Sequence, residues 1–496
     1  MMPKVKIFAD KSMVVGGVSP GLFSAFVEHL GRCVYTGIYE PGHPAADADG
    51  FRQDVLELVN GLNLSMVRYP GGNFLSGYDW RDGIGKKESR PARLDLAWRT
   101  TETNQFGTDE FAAWCRKAKV EPMMAVNMGT GSPLDAANLL EYCNHPKGTF
   151  LSDLRRENGN DAPYNIKTWC IGNEMDGPWQ TCAMSAEDYG KKALATARMM
   201  RNVDPSVKLV ACGSSTTYLP TYPEWDRIVL DALYEEIDYL SMHDYYWPKT
   251  TTEDYFASYR EMDNFIKTIK SIIEFVRVKH RSSKQVYISF DEWNVWYQQN
   301  VGESDWEAAP RKLEDIYSLK DALVFSGLLN TLLNNCDYVK VACLAQLVNV
   351  IAPIFTEPGG KAIKQTTYYP FELASKYGRG TVLQGFTECP KFNSKFGETD
   401  YVSSAVVHND QDREITVFLT NYNDSAMECA LTLNGFSGLS AIESVVMNGA
   451  DLDAKNTIKS PDTVVPSAGE KPVFRNGPMV TELPPLSYNM LRFAYK

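Results

Sequence analysis

Ile166-Lys167-Thr168-Trp169-Cys170-Ile171-Gly172-Asn173-Glu174 passes from a short apolar run to two polar side chains, the second a carboxylate. A run of this length and composition reads as a strand buried on both faces, as in a parallel sheet. The pattern recurs at residues 21–27, 64–67, 122–126, 208–212, 239–242, 286–290 and 339–344. Between these runs, residues 52–62, 106–119, 133–143, 186–200 and 313–334 carry apolar side chains at spacings of three and four, which predicts helices. Strands alternating with helices imply a parallel sheet, and the count decides its form. Eight runs predict a closed (β/α)8 TIM barrel; six or seven would give an open, doubly wound sheet.

After about residue 385 the texture changes. Runs such as 413–420 and 430–433, separated by turns rich in Asn, Asp and Gly, read as antiparallel strands. The run 4–8 precedes the first barrel strand and is expected to join them. The expected division is a catalytic barrel over 18–380 and an all-β, jelly-roll-like sandwich over 381–496 completed by 1–17. There is no internal repeat.

Composition narrows the function. The 496 residues are 44% hydrophobic and 23% charged, the usage of a folded globular protein. With 50 basic against 62 acidic residues the net charge is −12, which argues against a nucleic-acid partner, since that needs a basic face. The least polar long stretch, 339–355, is interrupted by Gln346, Asn349 and Pro353 and is not expected to span a membrane. The ten cysteines contain no Cys-x-x-Cys pair and sit mostly in apolar runs, as free thiols do in a reducing compartment. The first residues lack the apolar core of a secretory signal, so a cytoplasmic location is expected.

Chemistry in such a barrel gathers at the C-terminal ends of the strands. The first polar residues there are Glu28 and His29; Arg68 and, beyond Gly71-Gly72, Asn73; Asn127; Asn173 and Glu174; His243, Asp244 and Tyr245; Asp291 and Glu292; and Gln346 and Asn349. No lysine ends a strand, which disfavours Schiff-base chemistry. Six histidines without a His-Glu-x-x-His give no metal motif, and no cofactor is expected. Gly17-Val18-Ser19-Pro20-Gly21 matches a nucleophile elbow in letters only, because Pro20 has no N–H for an oxyanion hole.

Glu174 and Glu292 stand out, each directly after a run and flanked by tryptophan, in WCIGNEMDGPWQ (169–180) and ISFDEWNVW (288–296). Either alone reads equally well as a salt-bridged or capping acid. Together they would come from the fourth and seventh strands and face each other across the barrel mouth. Two carboxyl groups in unlike surroundings can protonate a leaving oxygen and attack an anomeric carbon, the requirements of glycoside hydrolysis. His243, beside Asp244 and Tyr245 at a strand end, is expected to support them.

At these residues the sequence resembles the α-L-arabinofuranosidases of glycoside hydrolase family 51. FVEHLGRCVYTGIYEP (26–41), VRYPGGNFLSGYDWRDGIG (67–85), TETNQFGTDEF (101–111), NMGTG (127–131), DYLSMHDYYWP (238–248), LAQLVNVIAPI (344–354) and QTTYYPF (365–371) carry the likeness along with the two carboxylate segments. The resemblance implies that Glu174 is the general acid/base, Glu292 the nucleophile, and Asn173 a partner of the sugar 2-hydroxyl. It further implies that Arg68 and Tyr245 hold the nucleophile ionised and oriented, and that Glu28, Asn73 and Gln346 bind arabinofuranose hydroxyls. The pattern departs at Ala362-Ile363-Lys364-Gln365, where a tryptophan is expected in place of Ile363.

The expected reaction is a double displacement releasing terminal α-L-arabinofuranosyl residues from arabino-oligosaccharides, arabinan or arabinoxylan fragments, with the carboxyl groups about 5 to 5.5 Å apart. A homo-oligomer is implied by the resemblance. β-Xylosidase or endoglucanase activity on the same barrel, or a non-catalytic carbohydrate-binding barrel, are the competing readings.

Overall fold

The computed structural model describes residues 2–299, 301, 305–475 and 477–496. Eight parallel strands form the barrel: β1 (Ser24–Phe26), β2 (Met66–Tyr69), β3 (Glu121–Val126), β4 (Thr168–Ile171), β5 (Lys208–Ala211), β6 (Tyr239–Tyr246), β7 (Tyr287–Val295) and β8 (Val339–Ala345). Closure is made by β8 against β1, pairing Cys343 with Ser24, Leu344 with Ala25 and Ala345 with Phe26. Alternation of side chains along each strand divides the core. Phe26, Met123, Ala125, Cys170, Val210, Val341 and Cys343 fill the barrel interior, while Met124, Val126, Trp169 and Ile171 pack outward under the helices. Of the ten tryptophans, Trp114, Trp169, Trp225 and Trp293 are fully buried and serve packing.

Three expectations shift. The first run shortens to Ser24–Phe26, because Pro20–Leu22 is a single 3-10 turn whose N-cap hydroxyl, Ser19, accepts from the Gly21 amide at 3.3 Å. The elbow-like letters therefore make a capped turn. The long helix begins at Leu319, not 313: Ser318 and Asp321 form a reciprocal capping box, and Leu313 lies in the left-handed region at φ 50°. β6 and β7 run further than their apolar letters, through His243 to Tyr246 and through Asp291 to Val295, because the polar residues continue the ladder, with His243 opposite Glu292 and Tyr245 opposite Asn294. Side chains expected just past the ends of the apolar runs thus stand on the strands themselves.

The second core lies between two further sheets. One orders Phe386–Glu388, Lys4–Asp10, Met427–Asn434, Met479–Leu483 and Val473–Phe474. The other orders Val14–Gly17, Thr381–Leu383, Val402–Asn409, Glu414–Asn421, Ser487–Ala494, Ser440–Met447 and Ser467–Ala468. Lys4–Asp10 runs parallel to Met427–Asn434 and buries Val5, Ile7 and Ala9 with Leu431, Val417 and Leu491. The barrel meets this sandwich along the helix Leu319–Asn334, where Ser326 and Thr420 hydroxyls lie 2.7 Å apart and Asn330 donates to Ser403 at 3.2 Å. Tyr422 covers Gly327, where a Cβ would sit 2.0 Å from its hydroxyl. All ten cysteines are free thiols. Among the described residues, no helix is long and apolar enough to cross a membrane.

Candidate active site

The ladder between β6 and β7 slips by one residue between Ser241 and His243, leaving an extra residue on β7. Such a bulge breaks the strict alternation and lets consecutive side chains reach one region. Asp291 and Glu292 use it. Asp291 accepts from Ser241 Oγ at 2.5 Å and lies 3.4 Å from Arg68 Nε; Glu292 accepts from Arg68 Nη1 at 2.7 Å and from the Tyr245 hydroxyl at 2.7 Å. Burial disfavours the Asp291 carboxylate, but Arg68 and His243 outweigh it and hold that group below the usual carboxylate range.

Opposite them, Glu174 follows β4 in a left-handed conformation at φ 45°, a strained backbone for a non-glycine residue. Its Oε2 accepts from Trp179 Nε1 at 2.5 Å, and its Oε1 lies 2.9 Å from His243 Nδ1. The same imidazole nitrogen is 3.6 Å from Glu292 Oε2, and Nε2 is 3.6 Å from Asp291. Burial works against a charged His243, yet Glu292, Asp291 and Glu174 together lift it to about 10. One ligand atom from each of Glu174, His243 and Glu292 lies within 4.8 Å of the others. A dication would fit that spacing, but the Arg68 guanidinium at 2.7 Å from Glu292 already supplies the positive charge and would repel it.

Arg68 also donates Nη2 to Asn173 Oδ1 at 2.6 Å and lies over the Phe26 ring at 4.6 Å, so one cation fixes side chains from β4 and β7. Glu28 forms a second group. Its Oε1 accepts from the Phe74 amide at 3.0 Å and Trp98 Nε1 at 2.9 Å, and its Oε2 from Gln346 Nε2 at 3.0 Å. Burial, then the charge of Glu292, raises Glu28 to about 8 despite those donors. The backbone at Gly72 passes between the two groups: a Cβ there would lie 3.2 Å from Glu292 Oε1 and 3.3 Å from Glu28 Oε2.

The structure therefore brings Glu28, Arg68, Asn173, Glu174, Tyr245, His243, Glu292 and Gln346 together. Asn73 starts the turn whose Phe74 amide holds Glu28, and is half-buried. Asn349 and Asn127 are used by loops: Asn349 donates to the Arg32 carbonyl and to Thr356, Asn127 to the Tyr78 carbonyl and Thr130. Ile363 is buried in the short strand Ala362–Lys364 opposite Phe355. Sequence reasoning left Trp98, Trp179 and Asp291 without roles. Trp179 and Asp291 lay inside the quoted carboxylate segments, whereas Trp98 carried no local signal, since it arrives from the hairpin Arg93–Asp95 and Thr100–Glu102.

A (β/α)8 barrel with two closely opposed carboxyl groups, one on β7 and one directly after β4, is the arrangement of a glycoside hydrolase. Comparison with known proteins agrees. Residues 58–264 match the family model described as the α-L-arabinofuranosidase 1 domain, and residues 291–487 that of the α-L-arabinofuranosidase C-terminal domain. An intracellular exo-α-(1→5)-L-arabinofuranosidase of Streptomyces lividans is 50% identical over 99% of this chain and 76% of its own length, and one of Bacillus subtilis is 47% identical over 99% of both. The solved family 51 α-L-arabinofuranosidase of Bifidobacterium longum superposes with a TM-score of 0.95 at 41% identity, covering 99% of this chain and all of that one. The chain belongs to glycoside hydrolase family 51, the α-L-arabinofuranosidases.

Proposed function

We propose that this enzyme is an exo-acting, retaining α-L-arabinofuranosidase that removes terminal non-reducing arabinofuranosyl residues, linked α-(1→5), from arabino-oligosaccharides and from arabinan or arabinoxylan fragments. The observation that carries the mechanism is the carboxyl pair. One oxygen of Glu174 and one of Glu292 lie within 4.8 Å of each other, which supports the closer spacing of a retaining pair over the about 6.5 to 9.5 Å of an inverting one. Glu174, protonated, donates to the glycosidic oxygen while Glu292 attacks the anomeric carbon. Glu174 then takes a proton from water, which displaces Glu292 and frees arabinose.

The neighbours divide the remaining work. Arg68 and Tyr245 donate to the two oxygens of Glu292 and keep it oriented; Asn173, fixed by Arg68, meets the sugar 2-hydroxyl. Glu28, Asn73 and Gln346 bind further hydroxyls, and His243 aligns the two carboxyl groups. We assign the enzyme to the cytoplasm as a homo-oligomer, with the barrel over 18–380 and the sandwich over 381–496 plus 1–17; the relatives' intracellular names support the location. The relatives give no support to a xylosidase, endoglucanase or non-catalytic reading. In proton NMR of an arabino-oligosaccharide digest, α-L-arabinofuranose is expected as the first product. A β anomer appearing first, or faster cleavage of an α-(1→6)-linked disaccharide than of its α-(1→5) isomer, would contradict the proposal.

Glu28 gives a pH prediction. With its carboxyl lifted to about 8, it is neutral in the free enzyme at pH 6 and ionises above 8. Since the folded value exceeds the ordinary one, its contribution to stability is complete below about 4.5 and declines as pH rises toward 8. An additional charge beside Glu292 should likewise lower kcat/KM above pH 8. Glu28→Gln, fixed as neutral, is expected to lose roughly tenfold at pH 6 through an altered hydrogen bond, and to lack the alkaline fall near 8. An unchanged alkaline limb in the variant would assign that fall to another group.

A further inference from the structure

Behind the sugar site lies a second set of buried polar groups that the reaction does not use. Arg68 and Tyr69 are consecutive on β2, so their side chains leave opposite faces: Arg68 reaches Glu292, and Tyr69 stacks on Phe111 at 4.3 Å between centroids. Glu28 and His29 are likewise consecutive, with Glu28 in the site and His29 behind it. Trp98, which donates to Glu28, sits on a hairpin whose return strand ends at Glu102.

The three rear residues are bonded to one another. Tyr69 and His29 Nε2 lie 2.7 Å apart, and His29 Nδ1 and Glu102 Oε2 are also 2.7 Å apart. Glu102 Oε1 accepts from the Tyr35 hydroxyl and from the Asn104 amide. Tyr69, His29 and Glu102 are buried, and the imidazole is ringed by Phe74, Tyr78, Phe106, Tyr35 and Tyr69. In such an apolar surround a hydrogen bond is strong and its loss leaves a costly unpaired group, so the network resists displacement of the elements it joins.

We propose that Glu102, through His29, is a positioning residue: it fixes the Trp98 hairpin and the end of β1 so that Trp98 and Glu28 meet as one wall of the sugar pocket. This rests on the reading of Glu28 as a sugar-binding group. A purely structural Glu102 would stabilise the fold without favouring either kinetic constant. A positioning Glu102 acts on binding that substrate and transition state share, and so appears in KM.

The test is steady-state kinetics on an aryl α-L-arabinofuranoside, with L-arabinose as competitor. Glu102→Gln is expected to raise KM and the arabinose inhibition constant roughly tenfold, the scale of one charge-assisted hydrogen bond, with kcat within about threefold of wild type. In a Trp98→Phe background, where the bond to Glu28 is already gone, Glu102→Gln should add less than about twofold, as coupled residues do. A fall in kcat at unchanged KM, or fully additive losses, would overturn the proposal. Should Glu102→Gln fail to fold, Tyr69→Phe removes a single hydroxyl from the same network; a raised KM supports the proposal and an unchanged one refutes it. Failure of the underlying activity would show separately, as a wild-type enzyme that neither cleaves the arabinofuranoside nor is inhibited by arabinose.

Discussion

Glu292→Ala is expected to lose roughly 10⁴-fold or more in turnover on every arabinofuranoside, because without a nucleophile no glycosyl-enzyme forms whatever the leaving group. Glu174→Ala should behave differently. General acid catalysis contributes about 10²- to 10⁴-fold, and only where the departing oxygen needs a proton. On a nitrophenyl arabinofuranoside its first step should be nearly intact, so a burst of nitrophenol should precede a slow steady state; on arabino-oligosaccharides the full loss should appear. Added azide, which attacks without a base, should restore turnover of Glu174→Ala and give the α-azide by attack on the covalent intermediate. In Glu292→Ala it should give the β-azide. Equal losses on both substrate types, or azides of the opposite configuration, would exchange or cancel the two assignments.

Arg68→Met carries the second largest effect. The guanidinium lies 2.7 Å from Glu292 and 3.4 Å from Asp291, and all three side chains are buried. Its removal leaves adjacent carboxylates with His243 as their remaining charged partner, and breaking a buried ion pair from one side costs about 3 to 5 kcal/mol. Loss of a preorganised donor at the reacting centre adds a fall of roughly 10²-fold or more in kcat. The sign of the pH dependence follows from Asp291. In the wild type its depressed value contributes stability above the ordinary carboxylate range that is lost as pH falls. Without Arg68 the burial dominates and the carboxyl moves up, so the variant's deficit should be greatest at neutral pH and shrink on acidification. Calorimetric melting of both proteins at pH 8 and pH 5 measures this; a gap that stays constant or widens toward pH 5 would mean that Arg68 does not compensate Asp291.

The barrel was legible because its strands are buried on both faces and read as unbroken apolar runs, and because each run ends abruptly on polar residues. Glu174 and Glu292 stood out from the other residues at such endings by their flanking tryptophans and their pairing, and their roles came from the family resemblance. What stayed hidden depends on partners distant in sequence. The length of β6 and β7 could not be read, since His243, Tyr245 and Asn294 are polar yet hydrogen-bonded within a ladder. The slipped register that delivers Asp291 as well as Glu292 is a property of two strands together. Trp98 reaches Glu28 across 70 residues of chain, and nothing in its immediate neighbours distinguishes it from the tryptophans that merely fill the core. The start of the long helix, by contrast, was readable in Ser318 and Asp321 and was obscured by apolar Leu313 and Tyr317, which pack as loop residues.

The placement of Lys4–Asp10 beside Met427–Asn434 sets an order of events during synthesis. Lys4–Asp10 must wait for Met427–Asn434, made far later along the chain, before it has its parallel neighbour. At about 5 to 20 residues per second that wait is roughly 20 to 80 s. Throughout it, a segment with alternating Val5, Ile7 and Ala9 keeps one long backbone edge unpaired, the kind of template on which other chains can add. The nascent enzyme thus keeps an aggregation-prone edge at Lys4–Asp10 until Met427–Asn434 is made, so a substitution in that early strand would act on a late step of folding.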